Sequence, residues 1–166
     1  MKLKGNYVDV VGRRIFKAEI EIQDQRIVGV QAIENCPDVY ILPGIVDAHV
    51  HIESSMLTPQ EFARVAVKHG TVATVSDPHE IANVMGVAGV DFMIKDASKT
   101  PFKFHFGAPS CVPATSFETS GFELNSKDIG TLLERDEVKY LSEMMNFPGV
   151  IYNDAEVKAK LSVAHK

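Results

Sequence analysis

Two histidines one residue apart, in the stretch IVDAHVHIESS from Ile45 to Ser55, are the first residues of this chain whose spacing suits chemistry. On a strand, positions i and i+2 project from one face, so His49 and His51 point together with Asp47 beneath them. Two such imidazoles can share one cation, and Zn²⁺, Fe²⁺ and Mn²⁺ all accept imidazole nitrogen at about 2.0–2.2 Å. A pair satisfied by backbone hydrogen bonds would have the same sequence, so the motif alone leaves both readings open. Other polar residues recur at intervals: Asp77, His79 and Glu80, then Ser110 and Cys111, then Glu143 and Asn146. Their meaning depends on elements that bring them to one place.

Those elements follow from periodicity. Residues 1–40 alternate apolar and polar, as in YVDVV and AEIEIQDQRIVGV, which predicts a small antiparallel β-unit with turns at Gly12-Arg13-Arg14 and Asp24-Gln25. From Tyr40 the pattern changes, and residues 41–166 form the second part of the chain. YILPGIVDAHVHI predicts one buried strand, and TPQEFARVAVKHG a helix capped by Thr58 and closed by Gly70. TVATVSD is a second strand, followed by a loop and the helical GVDFMIKDASK. FKFHFGAPS and VKYLSEMMN are the third and fourth strands, with helices NSKDIGTLLERD, capped by Asn125 or Ser126, and NDAEVKAKLSVAHK, capped by Asn153. The interval of about 30 residues is that of one βαβ unit, so four units in series imply a parallel sheet with right-handed crossovers. In such sheets sites form at the carboxyl ends of strands, where the scattered polar residues fall.

Composition narrows the partners. The chain has 166 residues, 17 Lys+Arg against 22 Asp+Glu and a net charge of −5, with no block of like charge. Neither a nucleic-acid nor a membrane partner is expected. No apolar run approaches the roughly 20 residues of a membrane span, and MKLKGNYVDV lacks the apolar core of a signal peptide, so a cytoplasmic location is expected. Cys36 and Cys111 stand far apart in no CxxC arrangement and read as ordinary reduced thiols.

LPGIVDAHVHIESSM resembles the first-strand signature of the amidohydrolase superfamily, and SDPHEIANVMG with SEMMNFPGVI closely resembles the bacterial adenine deaminase family. The resemblance runs from about Ile41 to the end of the chain. It implies the first half, about four βα units, of a (β/α)8 barrel preceded by the N-terminal β-unit and truncated before strand five. It implies a dinuclear divalent-metal centre, with Mn²⁺ or Fe²⁺ favoured and Zn²⁺ the alternative. His49 and His51 match ligands of the first metal, and Glu143 matches the carboxylate that bridges the two and shares in catalysis. Asp77, His79 and Glu80 match positions that line the purine pocket, transfer protons or cap the next helix. Ser110 and Asn146 are further candidates on the substrate side. Glu53, Ser54 and Ser55 shape the pocket or serve as caps and turns, whereas His69 and His105 read as structural. The implied reaction is hydrolytic deamination of adenine to hypoxanthine and ammonia, in purine salvage. Two alternatives stay open: an amidohydrolase acting on another cyclic amide or amine, and a non-catalytic half-barrel that binds metal or a partner. The family's remaining ligands, two histidines and an aspartate, come from strands five, six and eight. The isolated chain is therefore expected to be inactive, to bind metal weakly and to form a homo-oligomer through its unpaired edges.

Overall fold

Pro43-Gly44 divides the chain. Proline has no N–H to give to a sheet ladder, so the strand expected to run unbroken through LPG is split there. Tyr40–Ile41 belongs to one sheet and Ile45–Val50 to another. The structure, a computed structural model, describes residues 1–165 and separates into the units Met1–Gly44 and Ile45–Lys166.

In the first unit, β1 (Lys2–Asp9), β2 (Arg14–Gln23) and β3 (Arg26–Ala32) form an antiparallel meander. β4 (Tyr40–Ile41) joins β1 in parallel, making the sheet mixed, with order β3-β2-β1-β4. Asp24 and Gln25 both take positive φ, 49° and 63°, as a two-residue hairpin turn requires. Alternation along β2 buries Ala18 and Ile20.

The second unit carries β5 (Ile45–Val50), β6 (Thr71–Ser76), β7 (Lys103–Ala108) and β8 (Val138–Leu141), all parallel and in chain order. The sheet is open, and no closed barrel forms among the described residues. As an edge strand β5 leaves Ile45 and Val46 54% and 53% exposed, which departs from the buried strand its apolar run suggested. The helices are α1 (Pro59–Ala66), α2 (His79–Met85), α3 (Val87–Ala97), α4 (Ser126–Leu133), α5 (Phe147–Ile151) and α6 (Ala155–Ala164). No described helix is long and apolar enough to cross a membrane. Val90, Met93 and Ala97 recur at helical spacing on α3 and are buried. Val90 packs with Val112, Ile129, Leu132 and Val138, and Met93 with Ile52 and Phe106.

Several caps differ from expectation. Asn125 caps α4 as expected, in a reciprocal box with Asp128. Thr58 precedes α1 without capping it; Asp96 of α3 instead accepts the Gln60 N–H at 2.9 Å. The cap of α6 is Asp154, which accepts from the amides of Glu156 and Val157 at 2.9 and 3.0 Å, while Asn153 sits at φ 60°. α2 occupies what the sequence suggested was a loop. It ends at Gly86, φ 60° and ψ −142°, where a Cβ would lie 2.8 Å from the Phe122 ring.

Candidate metal centre

Parallel pairing sets Val50 beside Ser76, so the residues just past β5 and β6 meet. His49 Nε2 and His51 Nε2 lie 3.2 Å apart, and Glu143 Oε1 is 3.6 Å from the first and 3.2 Å from the second. β8 ends at Leu141, which places Glu143 in the segment beyond the strand rather than on it. The other nitrogen of His51 fixes its tautomer. Nδ1 lies 3.2 Å from the backbone carbonyl of Asp77, and a carbonyl only accepts, so Nδ1 carries the hydrogen. In neutral His51 the Nε2 lone pair therefore faces the carboxylate of Glu143. A metal ion between them would be held by both donors. The triangle's sides also match three donors each about 2.0–2.2 Å from one ion.

Asp77 and His79 extend the group. Asp77 follows β6, and His79 opens α2, with side chains only 5% and 14% exposed. His79 Nδ1 is 3.2 Å from Asp77 Oδ2 but off hydrogen-bond geometry, so this nitrogen and both Asp77 oxygens are buried without a hydrogen-bond partner. Leaving a buried carboxylate unpartnered is costly, and coordination would satisfy it. The Asp77 carboxylate raises the pKa of His79 above its ordinary value against the opposing effect of burial; Glu80 and Glu53 add to the rise. Donor atoms of His51, Asp77, His79 and Glu143 all lie within 4.8 Å of one another, a set that fits a divalent ion.

The remaining sequence candidates have nearby but different contacts. Glu53 accepts the Ile81 N–H at 3.3 Å in the first turn of α2, and burial is the main influence raising its pKa. Glu80 accepts from the Ser54 hydroxyl, and Ser55 donates to the Ile52 carbonyl at 2.6 Å. Ser110, fully buried, donates to the backbone carbonyl of Glu143. The Asn146 side chain caps α5 by accepting the Gly149 N–H at 3.1 Å. His69 and His105 are exposed and stand outside the group.

Tyr140 and Ser142 carry no signal in the sequence. Tyr140 donates to the Ser76 carbonyl at 2.9 Å, and burial, reinforced by Asp77, pushes its phenol up to about 12. Ser142 is buried with its hydroxyl unpartnered. Both line a cavity of about 230 Å³ with His49, Val75, Asp77 and Glu143. A larger cavity, about 530 Å³, runs past Cys111, Thr119, Phe122 and Lys160 and touches none of the histidines or carboxylates of the centre.

Residues 40–166 match the amidohydrolase family. The chain belongs to that family. Its likeness extends to proteins named adenine deaminase. The one from Sulfurovum sp. (strain NBC37-1) is 57% identical over 164 residues, covering 99% of this chain and 31% of its own length. Those from Methanosarcina mazei and Borreliella burgdorferi are 56% and 53% identical over 165 and 167 residues, each covering 99% of this chain and 30% of the relative. The amidohydrolase chain thus spans about 30% of the length of these curated relatives. The family resemblance read from LPGIVDAHVHIESSM, SDPHEIANVMG and SEMMNFPGVI is borne out. So is the fold class, to the extent of an open parallel half of an α/β barrel-type sheet.

Proposed function

We propose that this chain carries part of the metal centre of an adenine deaminase, which hydrolyses adenine to hypoxanthine and ammonia. The observation that carries the proposal is the convergence of His51, Asp77, His79 and Glu143, with His49 beside them. The names of the relatives favour adenine over another cyclic amide or amine. Imidazole and carboxylate donors suit Mn²⁺ or Fe²⁺, with Zn²⁺ the alternative. A divalent cation at such a centre supplies the Lewis acidity that makes water nucleophilic near neutral pH.

The chain's own residues divide the remaining work. His49 and His51 offer Nε2 as ligands, the latter held in its tautomer by the Asp77 carbonyl. Glu143 offers two oxygens, which suits a bridge between two cations. Asp77 and His79 complete the donor group, with Asp77 Oδ2 3.2 Å from His79 Nδ1. Glu53 and Glu80, through Ile81 and Ser54, hold the loop after β5 against α2.

Two experiments test the reading. Titrating the chain with Mn²⁺, followed by paramagnetic resonance of the free ion, should show binding that His51→Ala and Glu143→Gln each abolish; undiminished binding in both variants would refute the site. The chain alone should release no ammonia from adenine. Residues 1–165 grafted onto the remaining part of the Sulfurovum enzyme should restore release, and Glu143→Gln in the graft should remove it. A graft that folds and binds metal but does not deaminate adenine would refute the substrate.

A further inference from the structure

Lys160, on α6, is only 8% exposed, and among the described residues no carboxylate forms an ion pair with it. Burying an ammonium without a counter-charge is unfavourable, and an apolar side chain of similar length would fill the space without that penalty. Its Nζ donates to the backbone carbonyl of Ser110 at 3.0 Å. The contacts continue from there. The Ser110 hydroxyl donates to the backbone carbonyl of Glu143, which also accepts the Met145 N–H at 3.1 Å. The neighbouring Cys111 sulfur accepts the Asn146 N–H at 3.3 Å. The segment 143–146 lies between β8 and α5, outside any regular element, so these contacts take the place of a sheet ladder or helical bonds.

We propose that Lys160 is a positioning residue for Glu143. By fixing Ser110, it fixes the backbone from which the Glu143 carboxylate reaches His49 and His51, and so sets the affinity of the centre for a divalent cation. This inference rests on the assignment of Glu143 as a metal ligand.

The test uses the chain itself with Lys160→Met, Ser110→Ala, Glu143→Gln and the Lys160→Met/Glu143→Gln double variant. Each is titrated with Co²⁺, read by visible absorption, and amide hydrogen exchange is measured on the metal-free proteins. Lys160→Met and Ser110→Ala should each weaken Co²⁺ binding by about tenfold or more, as loss of a ligand's outer partner does. In the Glu143→Gln background, Lys160→Met should have no further effect. Without metal, the Met145 and Asn146 amides should exchange about tenfold faster in both single variants, with β6 and β7 unchanged. Ser110→Ala deletes one hydroxyl and still decides the matter if Lys160→Met does not fold. Unchanged exchange at Met145 and Asn146 would overturn the inference. So would a loss of Co²⁺ affinity as large with Gln at position 143 as with Glu, since that marks general loosening. A wild-type chain that binds no Co²⁺ refutes the metal assignment, and the exchange result then still judges the positioning by itself.

Discussion

Asp96→Ala should destabilise the fold far from the metal centre. Asp96 is 5% exposed on α3 and closes the start of α1, accepting the Gln60 N–H at 2.9 Å and the Lys99 ammonium at 2.6 Å. Alanine strips Gln60 of its acceptor, and a buried donor left unpaired costs about 1–3 kcal/mol. Lys99 is half exposed, so its ion pair adds no more than about 1 kcal/mol. Gln60 is only partly buried, which favours the lower half of that range, and a total of about 2 kcal/mol follows. For a chain of this size that lowers Tm by about 4–8 °C. Urea unfolding followed by circular dichroism measures it. The pH dependence is a second check. Burial works against the ionised carboxylate, but Lys99, the Gln60 amide and Thr58 outweigh it and hold the Asp96 pKa below its ordinary 3.8. A folded pKa below the unfolded one means the stabilisation is complete above the unfolded value and is lost as pH falls through the folded one. The stability gap between wild type and Asp96→Asn should therefore hold from about pH 7 to about pH 5 and close in more acidic solution. A change within about 0.5 kcal/mol for Asp96→Ala, or a gap that widens on acidification, would refute the reasoning.

Two further substitutions address local structure. Asp154→Ala removes the acceptor of two α6 amides and should cost about 1 kcal/mol in the same denaturation assay. Gly86→Ala forces a Cβ onto φ 60°, ψ −142° and into the Phe122 ring, and should cost about 1–3 kcal/mol with a lowered thermal midpoint.

What the sequence made legible was local. The pairing of His49 and His51 carried over because His49 lies near the end of β5 and His51 follows it by two residues, and Asn125 capped α4 because its partner Asp128 is three residues away. The alternation of strand and helix was readable for the same reason. Features that needed a distant partner were not. Asp96 lies 36 residues from the amide it accepts, and nothing near Gln60 announces it. α2 is not legible because seven residues with one buried alanine leave no apolar stripe, and Pro78 and Gly86 at its ends look like loop residues. Asp77 and His79 were visible as polar residues after a strand, yet their approach to His51 exists only once β5 and β6 pair. Asn153, the expected cap of α6, takes positive φ and leaves the capping to Asp154, which composition does not decide.

The hydrogen bond from His51 Nδ1 to the carbonyl of Asp77 has a consequence for mutagenesis. All twenty amino acids supply that oxygen, so no replacement at position 77 deletes it. An exhaustive scan of the position would report the duties of the carboxylate alone, and the instruction that tells His51 which nitrogen to keep bare would pass through every variant unseen. Weakening it takes a change to the main chain itself, such as an ester in place of the Asp77–Pro78 bond, which lowers the basicity of the carbonyl and also removes the proline ring. Part of this centre is thus inherited through the path of the backbone and is silent in any comparison of side chains.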